Sequence, residues 1–320
     1  MGEPRKDKLI IRPDDRCATT LERVGGKGAH LAELRWKGFD VPSWFTLSSD
    51  AYLQFISQID GAREARLKSP EIRLGIVNNL KSVRFSPDWR DELDEAVAKT
   101  LSDSKIGALV VRSSANVEDG GDAAFAGQFD SFLGIDHVEQ IWESIKACWL
   151  SVYSNHSVEY ARRMVGGIEP VMAIVVQELV PADVSGVMFT ANPLKGDSQE
   201  FVIESAWGLG QALVDGEILP DRFLGKWDEV GNAFTWSDSV ETRVGTKTKG
   251  FFWNPKSRKI EERPNARYFQ REPSLNKKQV NELTRLGKRI EMEFGCPQDI
   301  EWAIYQDQFY VLQTRPVTVS

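Results

Sequence analysis

Asp299-Ile-Glu-Trp-Ala-Ile-Tyr305, followed across a short turn by Phe309-Tyr-Val-Leu-Gln-Thr-Arg315, is the stretch from which the fold can be read. The first half alternates, with Ile300, Trp302 and Ile304 on one face, and the second offers Tyr310 and Leu312 as their partners. Those apolar sets meet in a hairpin whose turn is centred on Asp307. A two-residue turn would set Ile300 against Gln313 and spoil the apolar face, because a one-residue slip flips every side chain. The expected register places Glu301 across from Gln313, with Arg315 two residues further on the same face. A carboxylate, a carboxamide oxygen and a guanidinium then converge, which is oxygen ligation suited to Mg²⁺ beside a phosphate-binding cation. The polar outer face of a solvated hairpin has the same pattern, so the hairpin alone leaves both meanings open.

Working outward, a helix of about 15 residues is expected near 276–294, before the hairpin. Further back, 171–180 and 185–190 read as strands joined through Pro181-Ala-Asp, and Phe201–Ser205 as another. Gln177-Glu178-Leu179-Val180 ends the first of these, a place where main-chain groups can read a nucleobase. Glu204 stands at a strand end before Gly208 and Gly210, as a metal or ribose ligand or as a solvent-facing strand residue. Ile141, Ile145, Cys148, Trp149 and Val152 share one helical face. Residues 50–104 read as mostly helical, and 221–275 as irregular strands and loops. Strands mixed with helices, several of them antiparallel, predict an α+β or mixed α/β body.

Two further motifs suit an anion. Gly25-Gly-Lys27-Gly28 opens a helix that Gly38 can end, and amides at a helix start beside a lysine attract phosphate. It matches neither a Walker A loop nor a dinucleotide fingerprint, and a plain turn before a helix would look the same. Ala108-Leu-Val-Val111 is a continuous apolar run that ends in Arg112, which delivers an always-charged fork to a sheet end. Arg112 is equally suited to a surface ion pair with Glu118 or Asp119. The small-residue run that follows, through Gly127 and Gln128, can fold over phosphates by its amides or form a surface loop.

Composition sets the limits. With 320 residues, 41% of them apolar, the chain can bury a real core, so intrinsic disorder is excluded as its main state. A net charge of −7 without a lysine block argues against non-specific nucleic-acid or anionic-membrane binding. Three scattered cysteines form no CxxC pair, and no apolar run approaches the ~18 residues of a membrane span. The start Met1-Gly-Glu-Pro-Arg-Lys-Asp-Lys has no apolar signal region, so a cytoplasmic location is expected.

Taken in order, GGKGAHLAEL, VPSWFTLSSDAY, VVRSSANVEDGGDAAFAGQFDSFLGI, VVQELVPADVSGVMFTANP, ESAWGLGQALVDG and PQDIEWAIYQDQFYVLQTRPVT resemble one family. It is the ATP-binding domain of the phosphoenolpyruvate synthase and pyruvate phosphate dikinase family, the group that includes rifampin phosphotransferase and phenylphosphate synthase. The resemblance implies an ATP-grasp fold whose two lobes hold the nucleotide, divided here as 1–195 and 196–320. It implies that Lys27, Arg112 and Arg315 bind phosphates and carry the catalysis, with Gly127 and Gln128 covering them. Gln177, Glu178 and Val180 would line the adenine site, Glu204 would approach the ribose or the outer ligand shell of the metal, and Glu301 and Gln313 would hold Mg²⁺. Ala124 stands where the family has Ser, Asn116 for Thr, Gly120-Gly121 for Leu-Pro and Gln211 for Glu, so the resemblance implies one hydroxyl fewer near the phosphates at Ala124 and a looser loop at Gly120-Gly121.

In that family the ATP domain passes a phosphoryl group to a histidine in a TxxGGxTSHAA-type segment of another domain. The histidines of these 320 residues, His30, His137 and His156, lie in no such segment. The resemblance therefore implies ATP and Mg²⁺ as cofactors, and histidine and acceptor domains supplied as separate proteins or by a longer chain. Direct phosphorylation of a small molecule and a nucleotide-binding regulatory module are the alternatives.

Overall fold

Alternation in the sequence becomes two antiparallel sheets in a computed structural model of the chain, which describes residues 8–66, 68–115, 131–155, 157–158, 171–196, 199–214, 216–227 and 240–317. The first elements are β1 (Ile10–Ile11), α1 (Leu21–Trp36), β2 (Trp44–Leu47), α2 (Ser49–Ile56), α3 (Ala62–Ala65), α4 (Pro70–Ser82) and α5 (Pro87–Asp103). Then come β3 (Leu109–Ala115), β4 (Ser131–Ile135), α6 (Val138–Ser151), β5 (Met172–Glu178), β6 (Val184–Phe189), β7 (Glu200–Trp207) and α7 (Gln211–Val214). The last are β8 (Asp221–Lys226), β9 (Glu241–Arg243), β10 (Lys249–Asn254), β11 (Lys259–Pro264), α8 (Lys277–Phe294), β12 (Gln298–Tyr305) and β13 (Gln308–Pro316). Every described strand pair is antiparallel, and the mixed helix-and-sheet class is as expected. No described helix is long and apolar enough to cross a membrane.

The chain divides into two compact units, Met1–Glu33 with Ser43–Leu179, and Leu34–Pro42 with Val180–Ser320. The division falls before β6 and not at 195/196, because β6 pairs on both sides with strands of the second sheet, β7 and β12.

In the first unit the sheet runs β1-β2-β5-β3-β4. Phe45, Leu47, Leu109, Val111, Met172, Ile174 and Val176 point to one side and join Phe55, Leu93, Ile145 and Trp149 of the helices in a single core. Phe85 packs on Trp142 at a ring separation of 4.4 Å, and Phe55 on Trp149 at 5.0 Å. Each such pair adds about 1 kcal/mol beyond its buried area. Helices α4 and α5 both begin Ser-Pro, the serine as N-cap and the proline supplying a preset φ at the first helical position. Because side chains alternate, Thr46, Val110, Arg112, Val175 and Gln177 are left on the opposite face of this sheet.

In the second unit the sheet runs β13-β12-β6-β7-β8-β9. One row across it reads Ile300, Met188, Ile203, Phe223, and α8 lies on that face through Val280, Leu283 and Ile290. Gly287 allows the close approach, since a Cβ there would stand 2.5 Å from the Met188 sulfur. The helix starts in a capping box, Asn276 and Gln279 exchanging 2.9 Å bonds, and stops at Gly295 in the left-handed conformation. Behind β7 and β8, Asp221 and Lys247 form a fully buried ion pair. Asp221 also accepts from the Gly245 amide at 2.9 Å and from the Ser274 amide and hydroxyl at 2.6 and 2.7 Å. These bonds offset the desolvation that makes a bare buried pair unfavourable.

The hairpin corrects one expectation. Gln306 (φ 51°) and Asp307 (φ 61°) make a two-residue turn, pinned by the Gln306 amide donating to Asp183 at 2.9 Å. The register nevertheless shifts between Glu301 and Trp302, where a bulge leaves Leu312 without an opposite residue. Near the turn Trp302 faces Val311 and Ile304 faces Phe309, so Val311 and not Leu312 completes the apolar face. Beyond the bulge Glu301 faces Gln313 and Asp299 faces Arg315, as the alternation predicted for the polar residues.

Candidate functional site

In the first unit Gly25 breaks α1 with φ 66° and ψ 176°, so the helix proper restarts at Gly26-Lys27-Gly28. Ser114, two residues beyond Arg112 on the same side of β3, holds this restart: its hydroxyl donates to Val24 O at 2.7 Å and accepts from the Gly28 amide at 3.2 Å. A Cβ at Gly25 would lie 2.1 Å from Ser114 O, so only glycine permits the contact. One serine thus brings the turn that carries Lys27 onto the strand that carries Arg112. Ser114 had no assigned part in the sequence, where a serine in a strand gives no sign of its partner. Arg112 itself stands in mid-strand and not at a strand end, because Ser113, Ser114 and Ala115 continue the pairing with β5.

Gln177 lies on the same face of that sheet as Arg112, one row away. It is only 2% exposed, and its Nε2 has no hydrogen-bond partner among the described residues. Leaving a buried donor unpaired costs about 1–3 kcal/mol, so an acceptor supplied to this amide would be favoured. Glu178 uses its carboxylate at home, accepting from the Lys105 amide at 2.8 Å and the Ser43 amide at 3.4 Å. The amides of Glu178 and Leu179 are used within the fold as well, donating to Ser43 O at 2.8 Å and to Ala108 O at 3.0 Å. Val180 is buried and belongs to the second unit. Gly127 and Gln128 lie outside the described residues.

In the second unit the face opposite α8 carries a polar row, Gln313, Glu301, Val187, Glu204, Arg222, each directly across from the next. Asp299 and Arg315 form the adjoining row. Asp299 binds Arg315 through Oδ2, with Nε at 2.8 Å and Nη2 at 2.6 Å, and so fixes the direction of the guanidinium. Burial pushes the Asp299 carboxyl above the usual carboxylate range, more strongly than Arg315 draws it down, and Glu301 adds to the rise. Asp299 was not singled out in the sequence, although the register that paired Glu301 with Gln313 already set it against Arg315.

Among the described residues no group of three or more His, Cys, Asp or Glu is placed to hold a metal. One carboxylate and one carboxamide, Glu301 and Gln313, suit Mg²⁺, which keeps waters and takes its remaining ligands from substrate phosphates. The donor set fits that ion and not a zinc or a structural calcium site.

The model of the family described as pyruvate phosphate dikinase, AMP/ATP-binding domain, matches residues 21–320. A rifampicin phosphotransferase of a Streptomyces species is 34% identical over 325 residues, which cover 97% of this chain and 36% of the relative. A phosphoenolpyruvate synthase of Aeropyrum pernix is 31% identical over 364 residues, 98% of this chain and 42% of the relative. The chain thus spans well under half the length of these relatives. Among solved structures, D-alanyl-alanine synthetase A of Vibrio cholerae overlaps with a TM-score of 0.34 at 10% identity, covering 92% of this chain and 60% of that one. Matched along nearly its whole length, the chain belongs to the pyruvate phosphate dikinase AMP/ATP-binding domain family.

Proposed function

We propose that this chain is the ATP- and Mg²⁺-dependent phosphotransferase unit of a phosphoenolpyruvate synthase-like system, with an ATP-grasp architecture. The observation that carries the reading is the polar face of the second sheet, where Glu301, Gln313 and Arg315 stand side by side. Lys27, Arg112 and Arg315 bind the phosphates and spread the charge that develops as a phosphoryl group leaves. Such catalysis is positioning and electrostatics, with little covalent work for the protein. Glu301 and Gln313 would hold Mg²⁺, which when bound neutralises phosphate oxygens. Gln177, with its unpaired buried amide, and the backbone of Glu178 and Val180 receive the adenine; Gly127 and Gln128 close over the phosphates.

The histidine of a domain outside these 320 residues takes the β-phosphorus as the bond to the AMP oxygen breaks, AMP leaves, and water then accepts the γ-phosphoryl group as inorganic phosphate, which leaves the β-phosphoryl group on the histidine. Separate histidine and acceptor domains are the partners of this reading, and the cytoplasm is its compartment. Incubation with ATP and Mg²⁺, with and without a phosphohistidine-domain protein of the family, tests it by resolving the nucleotides. AMP that forms only with the partner is expected. ADP formed in proportion to an added small molecule would replace this reading with direct kinase action, and bound ATP without any product would leave a regulatory module.

A further inference from the structure

Between Arg243 and Arg271 the chain sets nine lysines and arginines against two glutamates, a concentration hidden in its overall charge of −7. Most of that stretch is the hairpin β10–β11, a two-stranded sheet of its own, held to the second unit by a bridge from Phe251 to Leu209. Both glutamates are spent on the hairpin itself. Glu262 takes Lys249 at 2.8 Å, and Lys249 is shared with Glu217 at 2.6 Å. Glu261 takes Arg263 at 2.9 Å through one oxygen, and through the other accepts from Asn254 at 2.6 Å and Ser257 at 2.8 Å. Towards the turn, Asn254 Oδ1 accepts from the Lys256 and Ser257 amides at 2.9 and 3.4 Å, and Arg258 takes the left-handed conformation with φ 51°. The tip is thus fixed from within by Asn254 and Glu261. It presents Lys256, Arg258 and Lys259, all exposed, and neither lysine enters an ion pair among the described residues.

Three cations within four residues repel one another, and an anion brought to them relieves that repulsion. The number of charges decides which anion fits. Phosphate-driven binding of nucleic acid draws on about 6–10 contacts, and an anionic membrane on clusters of about 4–8 lysines and arginines. Three cations at one hairpin tip fall short of both, and the stem below is neutralised by its own glutamates. A patch of clustered carboxylates on a protein is matched by three. Next to the tip Trp253 faces Ile260 across the hairpin, both half-buried, and an aromatic residue near arginine is a composition in which protein interfaces are enriched. We propose that the tip of β10–β11 docks a protein partner that presents clustered Asp and Glu side chains, with the cations steering its approach. Neither ATP nor Mg²⁺ takes part in this contact.

The test is fluorescence anisotropy of a labelled oligoglutamate peptide titrated with wild type, with Lys256→Gln/Lys259→Gln and with Lys277→Gln/Lys278→Gln, which removes the same charge from the start of α8, outside the hairpin. No nucleotide is present, so the outcome is independent of the ATP reading above. At low salt the wild type is expected to bind saturably, and more weakly as salt rises. The tip variant should bind about fivefold more weakly, the loss of two exposed ion pairs, while the control keeps the wild-type affinity. No saturable binding by the wild type, or equal weakening in both variants, would overturn the proposal. So would tighter binding, lost in the tip variant, of a single-stranded RNA of equal charge or of phosphatidylserine vesicles, since the tip would then serve a nucleic acid or a membrane.

Discussion

Replacing Glu301 by alanine is expected to lower Mg²⁺-dependent turnover of ATP, measured with the phosphohistidine-domain partner, by about 10²–10³-fold, because one of the two protein oxygens proposed to hold the metal is removed. Excess Mg²⁺ restores part of the loss. The fold should be nearly indifferent, since Glu301 is half-buried on the polar face, while Ile300 and Trp302 beside it hold the core contacts. The melting curve therefore separates the site from the scaffold: a change within about 1 kcal/mol is expected for a substitution away from the core. Turnover at the wild-type rate, with the same Mg²⁺ dependence, would sink the assignment of Glu301 to the metal.

The second large effect belongs to Gly25. Its φ of 66° with ψ of 176° is a conformation that glycine almost alone adopts. A Cβ there would also stand 2.1 Å from the Ser114 carbonyl oxygen and 2.4 Å from its hydroxyl. Gly25→Ala must either strain this junction or lift the Lys27 turn off β3, breaking the bonds from Ser114 to Val24 and Gly28. A loss of about 3 kcal/mol in stability is expected from strain and contact together. ATP affinity should fall about tenfold or more, the share of one charge-assisted contact from a displaced Lys27. Gly61→Ala is the control. Gly61 has φ 72° but open space around it, so only the left-handed penalty of about 1 kcal/mol applies. Equal losses in the two variants, with ATP binding intact in both, would show that the Gly25–Ser114 contact does not position Lys27.

How much of this was legible in the sequence depended on whether a pattern had one physical solution. The polar face of the last hairpin was legible because Ile300, Trp302 and Ile304 can face the core in one way only. The turn was not: Tyr310, Val311 and Leu312 are all apolar, so nothing marks Leu312 as the residue that bulges. Arg112 was set at a strand end, since the small polar residues Ser113 and Ser114 look like a loop while continuing the ladder. Strand β8 was hidden in a stretch of mixed charge, and with it Arg222. Lys247 was hidden for a simpler reason, since a lysine is expected in solvent unless a fixed carboxylate waits for it inside. The units divide at Leu179/Val180 because pairing partners, which the sequence does not display, assign β6 to the second sheet.

These residues are proposed to make an ATP site completed by Mg²⁺. Titration of the chain with ATP in Mg²⁺ and again in a chelator measures it most directly. One ATP per chain is predicted, with affinity at least about tenfold weaker once the ion is withheld, as expected where the metal bridges protein and phosphate oxygens. No saturable binding in Mg²⁺, or equal binding with and without the ion, would contradict it.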